Sequence, residues 1–194
     1  MSIRHLHVTT HALTISNSQI GLNGQRETCS MLTTRTLGTV LTAGVFGLVA
    51  FDVFGQALSP LFGHARLAPT GLAGATIKSI FGATPKGAAH LLHYVTGILF
   101  YAVGYFAVAR PIQKMVLPNL SWVVTAAVYG VFLWAFALYG MAHLVAGMKP
   151  FLGWTGITWV ALWGHVVYAL VAAWVMEAKG AELSFAPRAF VPAE

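Results

Sequence analysis

The sequence carries little charge, since only 8% of its 194 residues are Asp, Glu, Lys or Arg. A soluble domain has about 25% charged residues, so this composition excludes an ordinary soluble enzyme and a disordered chain. The single cysteine, Cys29, excludes an intrachain disulfide framework and a zinc ribbon. The formal net charge is +6, but the basic residues are scattered singly between apolar runs, which excludes a nucleic-acid-binding module.

The sequence has four apolar runs that are long enough to cross a bilayer as helices. They cover about 37–58, 88–109, 120–147 and 154–177, and about 20 residues at 1.5 Å each span the hydrocarbon core. All eight prolines lie outside these runs, which supports the predicted boundaries because proline breaks a helix interior. The runs are too long for barrel strands. The sequence therefore predicts an all-α integral membrane four-helix bundle with antiparallel sequential spans.

Polar segments flank the predicted membrane domain, 37–178. Residues 1–36 form a polar N-terminal arm and residues 179–194 a C-terminal tail. Met31 lies just before the first apolar run, so residues 1–30 are interpreted as an over-long start, with an ordered arm that packs on a partner as the alternative. In the first loop, residues 70–81 carry apolar side chains at helical spacing, which predicts a short interfacial helix.

Lysine and arginine are distributed unevenly between the two sides of the predicted bundle. The arm, the second loop and the tail carry seven of them, and the first and third loops carry four. Because cytoplasmic loops are richer in Lys and Arg, both termini are predicted to be cytoplasmic.

Five ionisable side chains lie within the predicted spans, at Asp52, His90, His93, His143 and His165. The free energy of inserting a membrane helix rises by at least about 2.5 kcal/mol for an Asp at its centre. Such residues therefore usually have a polar partner or a functional role. Counted at 1.5 Å per residue from the first-loop end, Asp52, His93 and His143 lie about 6–9 Å deep, whereas His165 lies about 17 Å deep. Because Asp52, His93 and His143 lie at similar depths, which we call the level match, the sequence predicts a polar cluster near that end of the bundle.

Further polar and small residues share helix faces with this predicted cluster. Gln56 lies one turn from Asp52, and Tyr101 lies on the His93 side of the second span. Glycines at seven-residue spacing mark the same faces and predict close helix approach; they are Gly97 and Gly104 in the second span, and Gly140 and Gly147 in the third.

Three interpretations of the cluster remain open from the sequence. In the first, the histidines bind backbone carbonyls, Asp52 or Gln56 and fix the register of the helices. In the second, Asp52, His90, His93 and His143 hold a transition metal, or two histidines ligate haem b. In the third, Asp52 and the histidines relay protons through Tyr101 or His165.

Short motifs give the chain a family resemblance. They are the run His93-Tyr-Val-Thr-Gly-Ile-Leu-Phe100, then Gly104-Tyr105, and Gly164-His165-Val-Val-Tyr168. Over roughly 38–177 the chain resembles the YagU-like four-helix proteins of the bacterial inner membrane, including a sister group with a His-Tyr-x-x-Gly-Ile run and an Asp in the first span. The resemblance implies an inner-membrane protein of unknown biochemistry.

The sequence has no glycine-rich phosphate loop, no His-Glu-x-x-His and no Gly-x-Ser-x-Gly motif. We therefore predict a non-enzymatic inner-membrane protein, with an accessory or stabilising role in a larger membrane assembly. Its expected partners are the lipid bilayer and other membrane proteins or a second copy of itself. A metal- or haem-binding redox or transport protein and a small proton-coupled transporter are the alternatives.

Overall fold

The computed structural model describes residues 34–181, which are largely helical. Four helices are long and apolar enough to cross a membrane: α1 (Thr34–Leu61), α3 (Ala88–Val116), α4 (Trp122–Val145) and α5 (Gly156–Ala178). The helix predicted in the first loop is present as α2 (Pro69–Phe81). The all-α four-helix prediction is thus confirmed. The predicted N-terminal arm up to residue 33 and the tail from residue 182 lie outside the described residues.

Two prolines lie inside the long helices, so the predicted boundaries at 58 and 109, which the positions of the prolines support, are too early. Pro60 belongs to α1 and Pro111 to α3. A π-helical segment precedes each proline, Phe54–Leu58 in α1 and Tyr105–Ala109 in α3. There the backbone N–H groups pair with carbonyls five residues back, and such local adjustment lets a membrane helix accommodate a residue without a backbone donor. As a result, α3 continues seven residues beyond its predicted end at 109.

Glycines bring neighbouring helices close together. The chain divides into two units after Gly38, and the contacts of the bundle lie within the second unit, between residues 39 and 181. A Cβ atom at Gly44 of α1 would meet backbone atoms of Ile98 in α3, and one at Gly130 of α4 would lie 2.6 Å from the Cα atom of Val166 in α5. The two helix pairs therefore touch backbone to backbone at these glycines.

Contacts between the remaining neighbours close the bundle into a ring. The Tyr129 hydroxyl of α4 donates to the Tyr101 carbonyl of α3 at 2.8 Å and lies against Gly104. Gly47 of α1 packs against Tyr168 of α5. The order around the bundle is therefore α1, α3, α4 and α5, so that sequential spans are antiparallel neighbours as predicted.

The glycine prediction is confirmed for the second span and wrong for the third. Gly97 faces Leu48 of α1, and Gly104 faces Tyr129 of α4. In contrast, the nearest side chain to Gly140 is Phe136 of the same helix, and Gly147 adopts φ +69° beyond the end of α4. Gly147 thus serves the turn after the helix, where a positive φ favours glycine.

Side chains also tie α3 to α5 across the bundle. The Tyr168 hydroxyl donates to the Gly97 carbonyl at 2.5 Å. At the other end, the Arg110 guanidinium forms an ion pair with Glu177: Nη2 donates to Oε2 at 2.9 Å, and Nε lies 2.7 Å from Oε1. Both side chains are largely buried, so the pair joins the two helices inside the bundle.

Helix α2 packs between the first turns of α3 and the last turns of α4. Ser79 donates to the Val145 carbonyl of α4 at 2.6 Å, and Gly74 lies opposite Ala89 of α3. Pro69 starts α2, and Gly82 ends it with φ +78°. The helix is therefore packed against α3 and α4 at one end of the bundle.

The connection between α4 and α5 contains a left-handed turn, Pro150–Gly153, followed by Trp154. Phe151, Leu152 and Trp154 have φ values of 48°, 53° and 57°, a conformation that costs about 1–2 kcal/mol for each such residue. Phe151 stacks on Trp154 with centroids 4.7 Å apart and packs on Trp134 at 4.8 Å. The Thr158 hydroxyl donates to the Phe151 carbonyl at 2.6 Å. These contacts hold the turn in place.

Candidate functional site

Asp52, Gln56 and His93 form a polar cluster between α1 and α3. The Gln56 amide donates to Asp52 Oδ1 at 2.8 Å, and His93 Nε2 lies 3.1 Å from the same oxygen. A second approach of His93 Nε2, to Asp52 Oδ2, measures 3.4 Å. The level match between Asp52 and His93 is therefore confirmed, and their pairing agrees with the interpretation that these side chains fix helix register.

The other two members of the predicted metal set do not join this cluster. His143 donates from Nδ1 to the Met148 carbonyl at 2.8 Å, in the turn after its own helix. His90 is exposed on α3 and packs on Tyr94. Across residues 34–181, no group of three or more His, Cys, Asp or Glu side chains is placed to hold a metal ion. The predicted set of Asp52, His90, His93 and His143 thus does not assemble, and the geometry does not favour the metal or haem interpretation.

His165 lies deeper in the bundle and bonds within its own helix. Its Nδ1 atom donates to the Ala161 carbonyl at 2.7 Å, and its side chain is 5% exposed. The Phe51 ring lies close to both histidines, with centroids 5.0 Å from His165 and 6.2 Å from His93. The two histidines therefore belong to different hydrogen-bonded groups, but one aromatic ring contacts both.

Both histidines border a cavity of about 280 Å³ that is lined by residues of the four long helices and α2 and is open on part of its surface. Helix α2 contributes Pro69, Leu72, Ala73 and Thr76, which follow the i, i+3, i+4, i+7 spacing of one helix face. Most of the other lining side chains are apolar. The cavity is thus an apolar space inside the bundle with a few polar groups on its wall.

The walls from α3 and α4 include π-helical turns. The segment Thr96–Tyr101 of α3 supplies the cavity wall around Gly97, and Phe136–Val145 of α4 supplies the wall around Ala137 and Met141. Such turns are frequent at functional sites because they interrupt the regular helix surface.

Hydroxyl groups of Thr76, Thr96 and Tyr168 line the cavity, and so do three further polar side chains, His93, Tyr101 and His165. The rings of Tyr101 and His165 have centroids 6.1 Å apart. The sequence identifies all three residues as intramembrane polar groups. It does not predict the cavity itself, the contribution of α2 or the position of Phe51. The only signal for them is the apolar face of 70–81, which predicts contact with the membrane interface rather than with a cavity.

Comparisons of the chain with family models, with curated proteins and with solved structures gave no match. The YagU-like resemblance therefore stays a prediction from short motifs, and the function has to be argued from the geometry of the cavity.

Proposed function

We propose that this chain is an integral membrane protein that binds a small apolar molecule in the cavity between α1, α2, α3, α4 and α5. The cavity of about 280 Å³ is the observation that carries the proposal. Sites for small molecules are mostly apolar hollows with a few placed polar groups, and in helical bundles they lie between the helices. The wall described above has this composition.

The cavity contrasts with the tight packing of the helices elsewhere in the bundle. Protein interiors are packed as densely as organic crystals, and here helices touch backbone to backbone at Gly44 and Gly130. The side chains that line the cavity lack packing contacts on the side that faces it. A bound molecule would restore the missing contacts and stabilise the domain.

The side of the cavity between α3 and α4 offers a route of entry. Phe100 of α3 and Phe136 of α4 both line the cavity, and they are 60% and 44% exposed on the outer surface of the bundle. In a bundle that spans the bilayer, this surface contacts hydrocarbon. An apolar molecule dissolved in the lipid would therefore reach the cavity without crossing water.

Filling the cavity with a side chain is expected to abolish binding. We would reconstitute the protein in phospholipid nanodiscs and measure the thermal unfolding midpoint with and without pentylbenzene, since a ligand that binds only the folded state raises this midpoint. Pentylbenzene is expected to raise the midpoint of the wild type but not of Ala73→Phe, whose new ring occupies the cavity. The matched control is Ala107→Phe, on the exposed face of α3.

An equal response of the wild type and both variants would contradict the proposal, because it would show that the probe acts through the lipid. Ala137→Leu, in the part of the cavity wall that α4 supplies, gives a second test if Ala73→Phe does not fold.

We also propose that the protein works beside other membrane proteins in a bacterial inner membrane, as an accessory or stabilising subunit with both termini in the cytoplasm. The observation that favours this is the difference between two helices: 17% of the most apolar window of α3 is buried, against 56% for α5. Most of α3 is thus available to lipid or to partner helices. The resemblance and the distribution of Lys and Arg support the location.

Gentle detergent extraction of the inner-membrane fraction tests this second proposal. A partner, or a second copy of the chain, is expected to co-purify in a fixed ratio. Recovery of the chain from that fraction only as a monomer without a partner would count against it.

A further inference from the structure

The nitrogen atoms of His165 have fixed and different roles. Because Nδ1 lies 2.7 Å from the Ala161 carbonyl, it carries the hydrogen of the neutral ring, and Nε2 is then an acceptor without a hydrogen. Among residues 34–181, no hydrogen-bond donor reaches Nε2. His165 therefore brings an unused acceptor to the wall of the cavity.

Tyr101 brings an unused donor to the same wall. Its neighbours have both used their hydroxyls on backbone carbonyls: Tyr129 donates to the Tyr101 carbonyl and Tyr168 to the Gly97 carbonyl. The Tyr101 hydroxyl has no hydrogen-bond partner within the part of the chain that the structure describes. Its ring contacts both His165, at 6.1 Å, and Tyr168, at 5.7 Å between centroids.

A donor and an acceptor without partners are unfavourable in an apolar cavity, since each has lost its hydrogen bonds to water. One chemical group satisfies both, because a hydroxyl accepts a hydrogen bond through its oxygen and donates one through its hydrogen. A ketone or a methyl ether would satisfy Tyr101 but leave His165 without a donor. A hydrocarbon would satisfy neither.

We infer that the cavity selects an apolar molecule that carries a hydroxyl group, whose oxygen accepts from the Tyr101 hydroxyl while its hydrogen is donated to Nε2 of His165. This inference rests on the proposed function and names the ligand class for it. Quinols and lipid alcohols both have this chemistry. The Asp52–Gln56–His93 cluster takes no part in the contact, because His93 Nε2 is directed to Asp52.

Three probes of nearly equal shape distinguish the contribution of a hydroxyl group to binding from that of the hydrocarbon. They are 4-pentylphenol, which donates and accepts, 4-pentylanisole, which only accepts, and pentylbenzene, which does neither. In the nanodisc assay, dissociation constants follow from the dependence of the unfolding midpoint on probe concentration. The phenol is expected to bind the wild type about tenfold more tightly than the anisole, as one additional hydrogen bond in an apolar site allows.

Two variants test the assignment of the contact. Tyr101→Phe removes only the hydroxyl and is expected to weaken phenol binding about tenfold while leaving pentylbenzene unchanged. His165→Leu is expected to bring the affinity of the phenol down to that of the anisole. The matched control is Tyr139→Phe, which removes an exposed hydroxyl that lies beside His143 and outside the cavity.

The outcomes separate this inference from the proposed function. If none of the probes distinguishes the wild type from Ala73→Phe, then both are overturned. If all three bind equally well to the wild type and Ala73→Phe blocks them, the cavity binds apolar molecules but the hydroxyl selectivity is wrong. If the wild type prefers the phenol to the anisole, His165→Leu removes that preference and Tyr101→Phe weakens phenol binding but not pentylbenzene binding, the inference holds. A comparison of a short-chain hydroquinone with 1-decanol then identifies the source of the hydroxyl.

Discussion

Replacing Gly44 by alanine is expected to lower the thermal unfolding midpoint more than any other single methyl addition in the bundle. The new Cβ atom would overlap the Ile98 carbonyl oxygen and would lie 2.7 Å from its carbonyl carbon and 2.8 Å from its Cα atom. These are backbone atoms, so relief requires α1 and α3 to move apart. Overpacking of this kind costs about 1–3 kcal/mol, and each kcal/mol lowers the midpoint by about 2–4 °C in a chain of this size.

Thermal unfolding of the purified protein, followed by circular dichroism, measures this effect. Gly140→Ala is the matched control, because its Cβ atom would lie 3.6 Å from Phe136 of the same helix, an ordinary contact. Alanine is favoured over glycine in a helix by about 0.5–1 kcal/mol, so the control is expected to keep or raise the midpoint. Similar losses in Gly44→Ala and Gly140→Ala would show that the α1–α3 contact is not as close as described.

Replacing Asp52 by leucine is the second change expected to have a large effect. It removes the oxygen that binds both the Gln56 amide and His93 Nε2, and it leaves two polar groups without partners inside the bundle. Each such group costs about 1–3 kcal/mol when fully buried. The expected loss is near the lower end of this range, because the Asp52 side chain is 26% exposed and the site is therefore not fully buried.

Asp52→Asn is the matched control for this change. Both closest contacts end on Oδ1, and an asparagine oxygen can accept both, so the unfolding midpoint is expected to stay near that of the wild type. The triple replacement Asp52→Leu, Gln56→Leu and His93→Phe is expected to recover most of the loss, since a polar group is costly only when its partner is missing. If Asp52→Asn stopped proton flux in proteoliposomes while the fold was kept, the proton-relay interpretation would be favoured over a structural role.

The sequence predicts the helices well because membrane spans are defined by local composition. Length, hydropathy and sequential order place all four spans and α2 close to their observed positions. The error at Pro60 and Pro111 has a physical cause: a shift to π-helical hydrogen bonding absorbs the missing donor, and composition carries no sign of it. Element type is therefore predictable, whereas the exact helix ends are not.

The candidate site is only partly predictable, because depth along a helix is easier to count than side-chain direction. Asp52 and His93 meet as the level match predicts, but His143 has a closer partner in the Met148 carbonyl of the following turn. Arg110 directly follows the second predicted span, and its pairing with Glu177 depends on the longer α3 and on how α3 and α5 cross. Such contacts are set by tertiary packing, which single residues do not encode.

The cavity is the least predictable feature, because it is a place where side chains fail to fill space. Its wall is assembled from five helices that are distant in the sequence. No local pattern records how much volume their side chains leave between them. The polar residues at the site can be named from the sequence, but the space they border cannot.

The left-handed turn between α4 and α5 places a strained residue, Leu152, at the wall of the cavity. Leu152 holds φ +53°, where glycine would be free of the steric conflict between Cβ and the backbone. Its side chain forms part of the cavity wall. Leu152→Gly would relax the backbone and remove that part of the wall. A leucine thus occupies a position where glycine would relieve backbone strain, and the strain accompanies a side chain that shapes the cavity wall.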